Sequence, residues 1–225
     1  MIKSFLITLS FSTMLFSSQQ ILLVVADDFN ASDALLSCFE GQKRVCKDIK
    51  VNLGKNGLGW GIGIKNIPHA STEPIKHEGD KRAPAGIFQL KSTFGYETKN
   101  ISKMPYLYAD KNLICVDDGS SAFYNQIIEA NGNEKSFEYM KRKDEQYRYG
   151  VVVAHNPNAV PNRGSCIFLH IQKEKNHPTV GCTSMEEKDL KKIIKWLDKK
   201  KNPLLIQIPQ KYLKELTQIY PELIK

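Results

Sequence analysis

GSCIFLHI (164–171), then PTVGCTSM (178–185) and EEKDLKKIIKWL (186–197), hold a strand and the chain's clearest helix with a short polar loop between them. Within the first piece, IFLHI (167–171) is an apolar, β-branched run. Its alternation puts Phe168 and His170 on one face and Ile167, Leu169 and Ile171 on the other. Ser184 stands three residues before Glu187 in a capping-box pattern, and Met185, Leu190, Ile193, Ile194 and Leu197 form an apolar stripe that Pro203 stops. A helix opening at Ser184 is predicted, with Cys182 two residues before the cap. There, unpaired amides and the positive end of the helix dipole favour a thiolate.

Outward from this stretch the texture is mainly that of strands. VVVAH (151–155) precedes it and LLIQI follows, closing the domain before a short amphipathic helical tail from Lys211 to Ile219. Further upstream, ILLVV (21–25), VNLG and GWGIGI continue the pattern as far as Pro68. The span from His69 to Gly86 is rich in Gly, Pro and charge, so it reads as a long loop leading into a strand at IFQL (87–90). Asp33 to Cys46 has a helical look, with Ala34, Leu35, Cys38 and Phe39 on one face and Ser32 or Asp33 as cap. Residues 109–140 mix turn signals (DDGSS, NGNE) with short apolar pieces, and KRKDEQYRY makes a polar bridge to the next strand. The fold class is mostly β (α+β), as one domain over residues 21–225.

Composition supports a single domain and an outward address. A chain of 225 residues with 41% hydrophobic and 25% charged residues can bury a real core. Its net charge of +8 suits an anionic partner such as nucleic acid, a lipid surface or a wall polymer. Runs such as Lys199-Lys200-Lys201 read first as solvated helix faces, and the aromatics are too scattered for a nucleic-acid stacking platform. After Lys3, the almost uncharged SFLITLSFSTMLFSS has the pattern of a signal peptide. Its apolar part, about 14 residues, is short of the roughly 20 a spanning helix needs. Residues 1–20 are therefore a signal peptide or an uncleaved N-terminal anchor, the one expected membrane contact. Export puts the five cysteines where disulfides form, and an odd number leaves at least one thiol free. Cys38 and Cys46 are close enough in sequence to pair, or both are buried thiols.

Cys182 and His170 are the candidate nucleophile and base, since the loop between them allows strand and thiol to meet. Gly181 permits close backbone approach to a substrate, and amides around it could hold an oxyanion. Cys166 is excluded as His170's partner, because four strand residues separate them by roughly 13 Å. It reads as a small residue packed beside the site. His155 and His177 are alternative bases. Cys166, His170, His177 and Cys182 also spell a loose C-x3-H-x6-H-x4-C zinc pattern, but a strand holds its first two members too far apart for one metal. No metal or other cofactor is expected.

These residues carry a resemblance. His170, Thr179, Gly181 and Cys182 fall on the His and Ser/Thr-x-Gly-Cys positions of the L,D-transpeptidase (YkuD-type) family. EGDKRAPAGIFQL (78–90) is similar to that family's Thr/Ala-Pro-x-Gly-x-Phe segment, and the likeness spans roughly residues 21 to 208. Val180 and Ser184 stand where many members have His and Arg or Asn. The resemblance implies a β-sandwich or barrel with a few peripheral helices. It also implies that Cys182 attacks a peptidoglycan stem peptide between its third residue and the terminal D-Ala, with His170 as base. A second stem as acceptor gives transpeptidation, water gives an L,D-carboxypeptidase, and a non-catalytic wall-binding protein is the competing class. Thr179, Arg163, Lys81 and Arg82 are the expected substrate contacts, with the loop His77–Arg82 and CVDDGSSAFYN (115–125) as the segments that carry them. The expected place of action is the periplasm or cell envelope, with no nucleic-acid partner.

Overall fold

The computed structural model describes residues 18–223. The leader read in the first residues therefore lies almost wholly outside the described part. The strands are β1 (Gln20–Ala26), β2 (Asp33–Glu40), β3 (Lys43–Asn52), β4 (Leu58–Trp60), β5 (Ala83–Gly95), β6 (Tyr106–Tyr108) and β7 (Leu113–Val116). They continue with β8 (Ile127–Glu129), β9 (Phe137–Tyr139), β10 (Tyr149–Val153), β11 (Phe168–Ile171), β12 (Thr183–Met185) and β13 (Leu204–Pro209). Two α-helices, α1 (Glu187–Trp196) and α2 (Leu213–Ile219), follow β12 and β13.

Closure comes from β10, which pairs with both β11 and β5. Eight strands then form a ring in the order β5-β10-β11-β12-β3-β2-β1-β13, with β4 and β6 added to β5. Closing the ring leaves β1, flanked by β2 and β13, buried on nearly all of its length, as its unbroken ILLVV run requires. A separate three-stranded sheet, β8-β7-β9, caps one face of the barrel. The main core is aliphatic and aromatic, from Leu22 and Val24 through Phe88 and Leu90 to Ile206, and α1 adds Leu190, Ile193 and Ile194. A smaller core lies toward the cap and holds Phe94, Leu113, Met140, Tyr147, Phe168 and Cys182. The strand face read from IFLHI holds, for Phe168 belongs to the small core and Leu169 to the main one.

Three expectations need correction. Asp33 to Cys46 is a hairpin, not a helix, turning at Gly41 with φ +57°. Its period is two, with Ala34, Leu36 and Cys38 buried and Leu35 48% exposed. Pairing with β1 overrode local spacing. The strand expected at IFQL begins earlier, at Ala83. Pro84 is tolerated there because its partner is the short edge strand β4, and Gly86 at φ +142° lies against the Phe88 ring, 3.0 Å from where a Cβ would stand. Finally, Ser184 does not cap α1. It pairs with His170 and Asn52 as the middle of β12, and the helix starts at Glu187 after Glu186, which makes no side-chain cap bond. The helix dipole is thus separated from Cys182 by a strand.

Candidate active site

β11 and β12 run parallel, with Leu169 opposite Thr183 and His170 opposite Ser184. Carrying this register back one residue sets Cys182 beside Phe168, whose N–H donates to Cys182 Sγ at 3.3 Å. Residues two apart share a strand face, so Cys182 and His170 are diagonal neighbours toward the cap. Both line a cavity of about 440 Å³ together with Thr179, Tyr147, Glu138 and Arg142. The other four cysteines form two disulfides, Cys38–Cys46 across β2 and β3 and Cys115–Cys166 between the cap and the segment before β11. Cys166 is therefore a bonded residue, with no thiolate to offer a zinc ion, rather than a lone packed thiol. It still touches the site, since its carbonyl accepts from Cys182 Sγ at 3.5 Å. Cys182 is the one free thiol among the described residues, which include all five cysteines.

Burial sets the protonation state of both partners. It pushes the Cys182 thiol up to about 12, and the Glu138 carboxylate adds to this, while the Phe168 N–H, the Tyr147 hydroxyl and Lys76 act in the opposite direction. Burial drives His170 down to about 4. At neutral pH the site therefore rests as thiol plus neutral imidazole. The imidazole's tautomer follows from its partner, because Nδ1 lies 2.8 Å from the Ile171 carbonyl oxygen, which can only accept. The proton is on Nδ1, and the Nε2 lone pair is left free to take one more.

The neighbouring polar groups form one chain. Tyr147 donates its hydroxyl to Glu138 Oε2 at 2.6 Å and stands edge-on to the His170 ring at 5.3 Å. The Arg142 guanidinium lies 5.0 Å over the Tyr147 ring and pairs with Asp144, whose carboxyl it holds down at about 2. Burial raises the Glu138 carboxyl above its ordinary value.

Of the residues expected to bind substrate, Thr179 alone lines the cavity. It also shapes the turn, donating to the Cys182 carbonyl at 2.6 Å and accepting the Gly181 N–H at 3.1 Å, so that this amide is already committed. Gly181 has φ +151°, a conformation for which glycine is suited. Arg82 turns inward onto the carbonyls of Phe29 and Leu58, Arg163 reaches the Lys76 carbonyl, and Lys81 is exposed. None of the three lines the cavity. In the same loop Asp80 accepts from Lys76 Nζ and the N–H groups of His77 and Arg82, and Glu78 accepts from Tyr124 and Ser165. His155 is buried with Nε2 donating to the Arg163 carbonyl, whereas His177 sits at the cavity wall. Asp118 caps its own turn by accepting from Ser120, the role expected of a DDGSS turn. Tyr147, Glu138 and Arg142 escaped the sequence reading because they lie in what reads as turn and polar bridge. A tyrosine alternating with Tyr149 just before β10 is the faint signal they left.

A closed, mostly β barrel with a thiol and an imidazole in one capped cavity defines the class of domain. The family model for the YkuD L,D-transpeptidase catalytic domain matches residues 25–206, and the chain belongs to that family. The family acts on peptidoglycan stem peptides. No curated protein and no solved structure matches the chain.

Proposed function

We propose that this protein is an exported L,D-transpeptidase in which Cys182 is the nucleophile and His170 the general base. The observation that carries the reading is that the free thiol and an imidazole whose Nε2 lone pair is available line the same cavity. Because both groups are neutral at rest, proton transfer accompanies attack. Cys182 Sγ adds to the carbonyl between the third stem residue and the terminal D-Ala while its proton passes to His170 Nε2. The C–N bond then breaks, and the D-Ala amine leaves with that proton. An acceptor amine attacks the resulting thioester, gives its proton to His170 and releases the Cys182 thiol. Water in place of the amine makes the same site an L,D-carboxypeptidase. Two disulfides support an oxidising place of action such as the periplasm or cell envelope.

Mass spectrometry of tetrapeptide-containing muropeptides, incubated with wild type and with Cys182→Ala, tests this. Cross-linked or exchanged products that vanish in the variant are the expected result, and D-Ala loss alone identifies the carboxypeptidase. Full activity in Cys182→Ala would sink the thiol mechanism, and products from neither protein would favour a non-catalytic wall-binding role.

A further inference from the structure

Lys76 is 3% exposed, an uncommon place for an ammonium. Its Nζ donates to Asp80 Oδ1 and to the His77 carbonyl, each at 2.6 Å. An ammonium has three N–H bonds, and the third has no acceptor among the described residues. The loop fixes the counter-ion as well, since Asp80 also accepts from the N–H groups of His77 and Arg82.

The side chain is threaded between two glycines of the site. A Cβ on Gly164 would stand 3.1 Å from Lys76 Cε and 3.2 Å from Cγ, and one on Gly181 would stand 3.9 Å from Lys76 Nζ. The ammonium therefore lies near the backbone that delivers Cys182, although Lys76 is not among the residues that line the cavity. The titratable groups that bear on this region come from several elements. Glu138 of β9, Tyr147 before β10 and His170 of β11 line the cavity with Cys182, while Asp80, His155 and Arg163 surround Lys76. Of the charged groups acting on the thiol, Glu138 opposes ionisation and Lys76 favours it. A charge is expensive to bury, and here its pairing is supplied by a loop that makes no other contribution to the cavity.

We propose that Lys76 is a positioning residue for the reaction at Cys182: its ammonium, held by Asp80 and the His77 carbonyl against Gly181, stabilises negative charge on the sulfur as the proton leaves for His170. The role rests on Cys182 being the nucleophile, but the charge effect can be read without any peptidoglycan.

The test is the rate of Cys182 alkylation by iodoacetamide in the full chain, disulfides intact, followed from about pH 6 to about pH 10 for wild type, Lys76→Met and Lys76→Arg. Loss of the charge is expected to displace the rising limb upward by about one unit, making alkylation about tenfold slower at a fixed pH on that limb. The Arg variant should restore the wild-type profile. On stem peptides, Lys76→Met should lower kcat with little change in KM. Because Lys76→Met leaves Asp80 without its cation, Lys76→Met/Asp80→Asn, which removes the pair together, is measured beside it and should show a displacement in the same direction, smaller because the opposing charge of Asp80 goes with it. Profiles that superimpose on wild type while the variants only melt at lower temperature would mean that Lys76 is structural, and would overturn the proposal. Wild type inactive on muropeptides but with a Lys76-dependent alkylation profile would instead count against the transpeptidase reading alone.

Discussion

The two cores of this protein differ in what they bury. The main core is built from side chains such as Leu22, Leu36, Ile87, Leu90 and Ile206, nearly all without polar atoms. The cap-side core is far smaller, yet it includes a thiol, a disulfide and a tyrosine, with His170 and Glu138 at its edge. Apolar burial stabilises in proportion to area and asks for no partner. Each buried polar group, by contrast, needs a hydrogen bond or shifts its ionisation. The lesson is a division of labour: the barrel supplies stability, and the small core uses burial to hold a neutral thiol beside a neutral imidazole.

That division can be broken by mutation on either side of it. His170→Ala should lower turnover on muropeptides by about 10² to 10⁴, the range for a general base, with an almost unchanged melting curve. If the protein unfolds instead, the small core is as structural as the large one. Phe88→Ala, in the main core, should do the reverse. It removes a fully buried ring, and its cost of about 3–5 kcal/mol should show in urea unfolding. Activity that survives per folded molecule would sharpen the contrast, whereas a specific loss of kcat would blur it.

The smallest effect per residue concerns acid, and it compares the two regions directly. His155 packs edge-on against Phe88 of the main core, His170 faces Tyr147, and burial holds both at about 4 against an ordinary 6.5. As pH falls from 6.5 to 4 the unfolded chain takes up protons that the folded chain refuses. Stability is thus intact above 6.5 and falls through that window, by at most about 3 kcal/mol per imidazole. Urea unfolding at a series of pH values should show the fall, and His170→Gln should remove about half of it. An unchanged pH dependence in that variant would mean that His155 alone carries the acid sensitivity.

Much of this site was legible along the chain because its spacing is local. IFLHI alternates, so the face shared by Phe168 and His170 could be read directly, and the cysteine count required a free thiol. The helix assigned to Asp33–Cys46 failed for a different reason: apolar residues at those spacings satisfy either period, and only the presence of β1 alongside selects two. The capping box at Ser184 failed in the same way, because β11 and β3 claimed the residue for a sheet.

The sequence by itself determined the strand-rich class, the family, and Cys182 with His170 as candidates, since periodicity and short motifs are properties of neighbouring residues. Tertiary structure alone decided which cysteines pair, that Lys81, Arg82 and Arg163 stay out of the cavity, and that Tyr147, Glu138 and Lys76 gather round the thiol. It also replaced an expected helix dipole with burial as the main influence on the sulfur. The physical reason is that desolvation and charge depend on distances through space, and Lys76 comes near Gly181 and acts on Cys182 only in the folded chain.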